Sequence, residues 1–262
     1  MITVPAGSLR PTRTHTSTVG GADVVVVADR DRTRPFLLLH GGAGPASMAG
    51  FADLLAERTH SRVLLPTHPG FAGTTRPPGL ATVRDLAAAY VELLEQLELS
   101  DVTVIGNSFG GWLAVEMALT GSPRVSGAVV VDGIGIEVDG YPMADVRGMS
   151  SADLLQLSFH DPAKAPRPPA GAGTGPSPDL AALAAYGGPT MSDPTLLARL
   201  GALELPVHVV WGESDGIVDP GYGRAFAAAL PESAFTLLPR TGHLPQLETP
   251  EELLGALVDL GR

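Results

Sequence analysis

Three side chains in this sequence could together carry out nucleophilic catalysis: Ser108, Asp215 and His243. Ser108 is the central residue of GNSFG, residues 106–110, which matches the G-x-S-x-G pattern of a sharp turn from a strand into a helix. A serine hydroxyl is a weak nucleophile and needs a histidine base, which a buried carboxylate in turn orients. The residue types therefore predict acyl transfer through Ser108. The alternative is that GNSFG only forms a glycine-rich turn.

Each of these side chains follows a segment that predicts a buried strand. The three segments are Val102–Ile105, Pro206–Trp211 and Ala234–Pro239. Near-continuous apolar strands of this kind are typical of parallel sheets, whose strands all end at the same edge. We therefore expect Ser108, Asp215 and His243 to meet at that edge.

Strands alternate with helices along most of the chain. An opening hairpin is predicted, and the full set of expected strands before residue 133 is Thr16–Val19, Ala22–Val27, Pro35–His40, Ser61–Pro66, Val102–Ile105 and Arg124–Asp132. Helices are expected at Met48–Arg58 and Thr82–Leu97, the second from its amphipathic spacing. The pattern predicts an α/β fold with a mostly parallel central sheet flanked by helices.

The alternation stops after the sixth predicted strand. We expect a core domain formed by residues 1–132 and 206–262, with a lid inserted at residues 133–205. Helices are predicted in this insert at Ser151–Ser158, Pro178–Tyr186 and Pro194–Leu200. Residues 161–178 (DPAKAPRPPAGAGTGPSP) separate the first two, and their prolines and glycines predict an irregular, mobile stretch.

A second glycine-rich turn, HGGAG at residues 40–44, follows another apolar strand. It fails the dinucleotide fingerprint G-x-G-x-x-G, because the sixth position counted from Gly42 is Ser47. Backbone N–H groups at the end of a strand and at the start of a helix can instead stabilise a developing negative charge. We therefore predict an oxyanion hole formed by the N–H groups of Gly42 and Phe109.

Composition excludes several classes of protein. The chain has 262 residues and a net charge of -11, which argues against nucleic-acid and anionic-membrane partners. Lys164 is the only lysine and fits neither a P-loop nor a pyridoxal site, and there is no cysteine. The histidines form no metal-binding pattern, so we predict neither a metal nor a cofactor. We expect a cytoplasmic protein, a monomer or homodimer, that acts on a small molecule, because no leader or membrane-spanning segment is evident.

Five segments resemble, in order, those of the α/β-hydrolase superfamily, in its serine-nucleophile, lid-containing, esterase and C–C hydrolase-like branch. They are HGGAG, HPGFAGT, GNSFGG, WGESDGIVDP and GHLPQLETPEEL. The chain order Ser108, Asp215, His243 is also the order of that family. The resemblance covers the chain outside the insert and implies the fold, the catalytic triad and the oxyanion hole.

The acidic member of the triad has competitors. Asp215 has the W-G-x-x-D spacing that the resemblance favours, whereas Glu213 and Asp219 are close in sequence. We expect Asp219 to cap the helix that begins at Pro220. Asp132 ends its own strand, at a position that some relatives use for the acid.

The other histidines have structural interpretations. His40 resembles the histidine that organises the oxyanion loop, and His208 falls within a strand and is expected to pack in the core. His68 lies on a loop predicted to face the pocket, where it is either a turn residue or a substrate contact. Surface positions are expected for the remaining three, His15, His60 and His160.

The sequence therefore predicts a serine hydrolase that cleaves a carboxylic ester, thioester or lactone through an acyl-enzyme on Ser108. C–C hydrolases of ring-cleavage pathways are the nearest alternative by resemblance, but they add a lid arginine and a tryptophan after the catalytic histidine. Here Leu244 follows His243, and the direction of the lid arginines Arg147 and Arg167 is not fixed by the sequence. An acyltransferase, a lyase and a ligand-binding protein that retains the triad remain further alternatives.

Overall fold

The computed structural model describes residues 13–29, 35–166 and 178–258 of the chain. The strands within these residues are β1 (Arg13–Val19), β2 (Ala22–Asp29), β3 (Pro35–Leu39), β4 (Arg62–Leu64), β5 (Pro66–Thr67), β6 (Val102–Asn107), β7 (Val125–Val131), β8 (Val207–Gly212) and β9 (Ser233–Leu238). The α-helices are α1 (Ala46–Thr59), α2 (Val83–Gln96), α3 (Phe109–Leu119), α4 (Ser151–Ser158), α5 (Pro178–Gly187), α6 (Leu196–Leu200), α7 (Pro220–Ala228), α8 (Pro245–Glu248) and α9 (Pro250–Val258).

The main sheet has six strands in the order β4-β3-β6-β7-β8-β9, and every neighbouring pair is parallel. A smaller antiparallel sheet, β1-β2-β5, lies beside it. The predicted α/β fold with a mostly parallel sheet is confirmed. The predicted opening hairpin is also present, with Gly20 and Gly21 at positive φ in its turn, a conformation that glycine adopts without steric cost.

The predicted strand Ser61–Pro66 is wrong in one respect, because the chain divides it into β4 and β5. Val63 pairs in parallel with Phe36 of β3, whereas Pro66 pairs in the antiparallel sense with Val26 of β2. Proline has no N–H to donate to a continuing ladder, so the chain leaves the main sheet at this point. The insert consequently follows the seventh strand of the structure rather than the sixth.

Both faces of the main sheet are covered, because alternate residues of its strands point to opposite sides. Leu37, Leu39 and Val104 pack on one face with α2 and α3, and Leu38 and Ile105 pack on the other with α1 and α9. This explains why the strands are apolar at nearly every position. Helix α2 starts where its pattern predicts, with a reciprocal capping box between Thr82 and Asp85.

The insert, residues 133–205, contains three α-helices in its described part. Helix α4 has the predicted bounds, α5 ends one residue later than predicted, and α6 begins two residues later. Pro162–Lys164 form a single 3-10 turn that Asp161 caps, so irregular structure throughout 161–178 is wrong there. Arg167 and the rest of the proline- and glycine-rich stretch, residues 167–177, lie outside the described residues. No helix in the described part of the chain is long and apolar enough to cross a membrane.

Candidate active site

Ser108 lies at the turn between β6 and α3 with φ 55° and ψ -117°. A positive φ is strained for a residue other than glycine, and such strain persists only where the surrounding structure fixes it. The Ser108 N–H donates to the Val131 carbonyl at 2.9 Å, and the Ser108 carbonyl accepts from the Gly111 N–H. A Cβ at Gly106 would overlap the Gly110 carbonyl, and a Cβ at Gly110 would overlap the Leu39 carbonyl. Both flanking glycines are therefore required sterically, as the sequence predicts.

Asp215 and His243 come together at the same edge of the sheet. The His243 Nδ1–H donates to Asp215 Oδ2 at 2.8 Å, and both residues are buried. The other carboxylate oxygen, Oδ1, accepts from the N–H groups of Ile217 and Val218 at 2.8 and 3.0 Å. With its proton held on Nδ1, the imidazole keeps a free lone pair on Nε2, which is the arrangement that a general base requires.

Asn107, the residue before Ser108, connects β6 to the loop after β9, residues 239–244, which carries His243 and is here called the histidine loop. Its Nδ2–H group donates to the His243 carbonyl at 2.9 Å, and its Oδ1 accepts from Gln246 Nε2 at 3.0 Å. All three residues are buried. Sequence analysis missed Asn107 and Gln246. The available signal was a polar residue at the end of an otherwise apolar strand, which must find a partner when it is buried.

The competing acids have other partners. Asp219 caps α7 by accepting from the Gly221 N–H, as predicted, and the Glu213 carboxylate accepts from the Arg240 N–H at 3.1 Å. Asp132 is completely buried beside the pair, with one ligand atom each of Asp132, Asp215 and His243 lying within 4.8 Å of the others. Because the Asp215–His243 separation of 2.8 Å is that of a hydrogen bond, these side chains do not form a preformed cation site.

The loop after β3 lies against Ser108. A Cβ at Gly41 would come within 2.9 Å of Ser108 Cβ. Among the described residues, neither the Gly42 N–H nor the Phe109 N–H donates to a protein acceptor. Phe109 begins α3, so its N–H has no acceptor within the helix. Both predicted oxyanion donors are therefore available to a ligand.

His40 and His68 form a buried pair under this loop. The rings stack with centroids 3.8 Å apart, the His68 N–H donates to His40 Nε2, and His68 Nε2–H donates to the His40 carbonyl. The Tyr90 hydroxyl donates to His68 Nδ1 at 2.6 Å, and His40 Nδ1–H donates to the Gly41 carbonyl. Burial lowers the pKa of His40 to about 4, and burial together with the neighbouring His40 lowers the pKa of His68. Both imidazoles are neutral at pH 7.

The expectation that His68 faces the pocket is wrong, because its side chain is fully buried against Tyr90. The alternative that it is a turn residue is confirmed, since its carbonyl accepts from the Phe71 N–H. His40 is structural, as expected, and His208 is buried within β8 with its Nε2 at 2.8 Å from Thr236 Oγ1. His60 and His160 are exposed, as expected, while the side chain of His15 lies outside the described part of the chain.

The insert contacts the site from two sides. At the end of α4, the carbonyl of Leu157 accepts from the Gly216 N–H and that of Ser158 accepts from the His243 N–H. On the other side, Leu183 of α5 lies over Gly42, where a Cβ would come within 3.0 Å of its Cδ2. The Tyr186 hydroxyl of α5 donates to the Pro69 carbonyl at 3.1 Å. The insert thus contacts both the histidine loop and the loop after β3.

The arrangement can be compared with known proteins. A family model described as the alpha/beta hydrolase family matches residues 36–256, a range that includes Ser108, Asp215 and His243. The chain belongs to the alpha/beta hydrolase family. This membership confirms the resemblance that the five sequence segments carry, and it makes the chain a member of a family of enzymes.

Individual relatives of this chain include enzymes of two kinds. The chain is 34% identical over 108 residues to a 2-hydroxy-6-oxo-2,4-heptadienoate hydrolase of Pseudomonas putida, a match that covers 40% of this chain and only 39% of that relative. A thermophilic esterase from Thermogutta terrifontis superposes with a TM-score of 0.75 at 23% identity, covering 95% of this chain and 98% of the other. A meta-cleavage product hydrolase from Pseudomonas fluorescens IP01 gives 0.72 at 20% identity, with 94% and 97% covered. At these identities the two solved structures support the fold alone.

Proposed function

We propose that the hydrolase cleaves a small carboxylic ester, thioester or lactone, with Ser108 as nucleophile, His243 as general base and Asp215 as the acid of the triad. The observation that carries this proposal is the 2.8 Å hydrogen bond between the buried Asp215 and His243 side chains, at the sheet edge where β6 ends in the strained Ser108 turn. A nucleophile, a base and an orienting group in this relation are the requirements of acyl transfer.

The mechanism follows from the roles of these groups. His243 Nε2 takes the proton of Ser108 Oγ as that oxygen attacks the acyl carbon, and the carbonyl oxygen becomes an oxyanion that Gly42 and Phe109 N–H groups stabilise. His243 then gives the proton to the leaving alcohol or thiol, and an acyl-enzyme remains. Water attacks the acyl-enzyme with His243 again as base, and Asp215 stabilises the imidazolium in both steps.

Cleavage of an ester, thioester or lactone is favoured over cleavage of a C–C bond by the arginines of the insert. Arg147 is 76% exposed and pairs with Asp145, its Nε at 2.7 Å and Nη2 at 2.8 Å from the carboxylate oxygens. Arg199 is bound to the buried Glu116 carboxylate at 2.6 Å. Both described arginines of the insert thus bind acidic side chains of the protein itself, and Leu244 occupies the position where a tryptophan is expected in the C–C hydrolases.

The test is a hydrolysis screen with p-nitrophenyl esters of graded chain length, using wild type, Ser108→Ala and the control Ser126→Ala. Ser126 is an exposed serine near the amino end of β7. We expect Ser108→Ala to lose about 10⁴-fold or more of kcat, whereas Ser126→Ala should match wild type. Turnover near the wild-type value in Ser108→Ala would refute the proposed mechanism.

The screen also separates the competing functions. A folded wild-type protein that hydrolyses no ester should next be given a 2-hydroxy-6-oxo-2,4-dienoate, because the relative in Pseudomonas putida is named for such a substrate. Cleavage of that compound would establish the C–C hydrolase alternative. Ester formation with an added alcohol would indicate acyl transfer, and binding of esters without turnover would indicate a ligand-binding role.

A further inference from the structure

Asp132 is a buried carboxyl group that the proposed mechanism does not use. It directly follows β7, at φ 47° and with no exposed surface, and its Oδ1 accepts from the Gly212 N–H at 2.7 Å. Its Oδ2 is equally buried and finds no protein group that donates to it. A buried oxygen without a donor costs free energy, so the protonation state of this carboxyl needs an explanation.

The surroundings of Asp132 oppose a negative charge. The titratable groups that face it are Asp215, on the loop after β8, and His243, on the loop after β9. No described arginine or lysine forms a salt bridge with Asp132. The Asp215 carboxylate already accepts hydrogen bonds from Ile217, Val218 and His243, whereas Asp132 accepts only one from a described residue, Gly212. Two adjacent buried carboxyls whose shared neighbour is a neutral histidine cannot both ionise cheaply.

We propose that Asp132 is a protonated carboxylic acid at neutral pH, and that its Oδ2–H donates a hydrogen bond to the carboxylate of Asp215. The proton gives the otherwise unpartnered Oδ2 a role as donor, and it turns a repulsive contact into an attractive one. In agreement with this geometry, burial and the neighbouring Asp215 raise the pKa of Asp132 well above its ordinary value. Asp132 would be a positioning residue, because it acts on His243 through Asp215.

The consequence for catalysis rests on the proposed function. With Asp132 neutral, the two carboxyl groups carry one negative charge, which resides on Asp215 and balances the imidazolium that forms on His243 during the reaction. The proton stays on Asp132 throughout, so no step transfers it. The hydrogen bond to Asp132 holds the Asp215 carboxylate in line with His243 Nδ1.

Substitution by asparagine separates this proposal from an ionised Asp132. Asparagine is neutral, its Oδ1 can accept from Gly212 and its Nδ2–H can donate to Asp215, so Asp132→Asn should retain the pH profile of kcat/KM and most of the activity. If Asp132 were ionised, the substitution would remove a negative charge near His243. The acidic limb of the profile would then move to lower pH by about one unit or more, and this result would overturn the proposal.

Alanine gives the contrasting variant. Asp132→Ala removes both the acceptor for Gly212 and the donor to Asp215, so kcat should fall about 10- to 100-fold while Asp132→Asn restores it. Equal loss of activity in both variants would contradict the proposal, since it would mean that the carboxyl group itself is needed.

The proton itself can be detected without catalysis. We would label aspartate carboxyl carbons with ¹³C in the inactive Ser108→Ala protein and record the spectrum at neutral pH. One protonated aspartate carboxyl is expected, which Asp132→Asn should remove and the exposed-site control Asp101→Asn should leave in place. A spectrum with every aspartate ionised would overturn the proposal even if Asp132→Asn did not fold. Because this measurement needs no substrate, it can fail or succeed independently of the proposed hydrolase activity.

The pH dependence of the free energy of unfolding, compared between wild type and Asp132→Asn, gives a further check. The unfolded chain ionises Asp132 near its ordinary pKa of 3.8, whereas the folded protein keeps the proton. Folding therefore takes up a proton above that pH, and the free energy of unfolding of wild type should fall relative to Asp132→Asn as the pH rises from about 4 to about 7. A difference between the two proteins that does not change with pH would contradict a protonated Asp132.

Discussion

Among single residues, the acidic side chains of the loop after β8 each have a different hydrogen-bond partner. Asp215 contacts His243, Asp219 caps α7, and Glu213 accepts from the Arg240 N–H. The loop after β8 therefore contains chemically equivalent carboxylates of which one reaches the histidine. This separation permits a matched test of the role of Asp215.

Asp215→Asn should lower kcat by about 10³- to 10⁴-fold, because the amide cannot balance the imidazolium and no longer fixes its tautomer. The control is Asp219→Asn, since asparagine caps a helix about as well as aspartate and this side chain points to Gly221 rather than to the histidine. Both variants are compared by steady-state kinetics on the best ester of the screen. An Asp215→Asn protein within a few-fold of the control would exclude Asp215 as the acid of the triad.

At the scale of elements, Glu248 at the end of α8 joins the insert to the histidine loop. Its buried carboxylate accepts from the Gly242 N–H at 2.7 Å, the Asp161 N–H at 2.7 Å and the His160 N–H at 3.1 Å. The insert and the histidine loop thus share one acceptor. A carboxylate suits three donors because it carries no hydrogen of its own.

Glu248→Gln should weaken the hydrogen bonds between the insert and the histidine loop. The glutamine amide offers one acceptor oxygen and places an NH₂ group where N–H donors converge, so we expect the free energy of unfolding to fall by about 1–3 kcal/mol. Amide hydrogen exchange should accelerate at Gly242, His160 and Asp161 in particular. Glu251→Gln, which alters an exposed side chain that pairs with Arg58, serves as the control and should change stability by less than about 1 kcal/mol. Unchanged hydrogen exchange at those three amides would show that Glu248 does not hold the insert to the histidine loop.

At the scale of the whole molecule, the neutral His40–His68 pair links folding to pH. The pair connects the loops that follow β3 and β5, and both side chains are buried from solvent. A histidine in the unfolded chain is exposed and takes up a proton near pH 6.5, whereas the folded His40 does so only at about 4. Between these values the unfolded state binds more protons than the folded state, so stability rises with pH across that window.

Acidification should therefore remove the contribution of His40 to stability. That contribution to the free energy of unfolding should be fully present above pH 6.5 and should fall by about 3 kcal/mol as the pH falls through 4. Urea unfolding at about pH 7 and about pH 4.5 measures this loss, and His40→Asn should show a smaller loss than wild type. His60→Gln, at an exposed histidine, should behave like wild type. An equal loss in His40→Asn and wild type would show that the buried pair does not cause it.

The sequence by itself determined the local features of this protein. The apolar strands, the Thr82 cap, the glycines around Ser108 and the strand-end positions of Asp215 and His243 all follow from residues close together in the chain. They are predictable because backbone sterics and side-chain periodicity act over a few residues. The division of one predicted strand into β4 and β5 was not predicted, since it depends on which distant strand Pro66 pairs with.

Which distant polar groups meet depends on how the chain folds. Asn107 bonds to the carbonyl of His243, 136 positions away, and the N–H of Gly212 donates to Asp132 from a distance of 80 positions. Glu248 collects donors from the insert, and His68 turns from a loop into the core to meet Tyr90. Each buried polar group must find a partner. Which partner is near depends on how strands and loops pack, and local sequence patterns do not predict that packing.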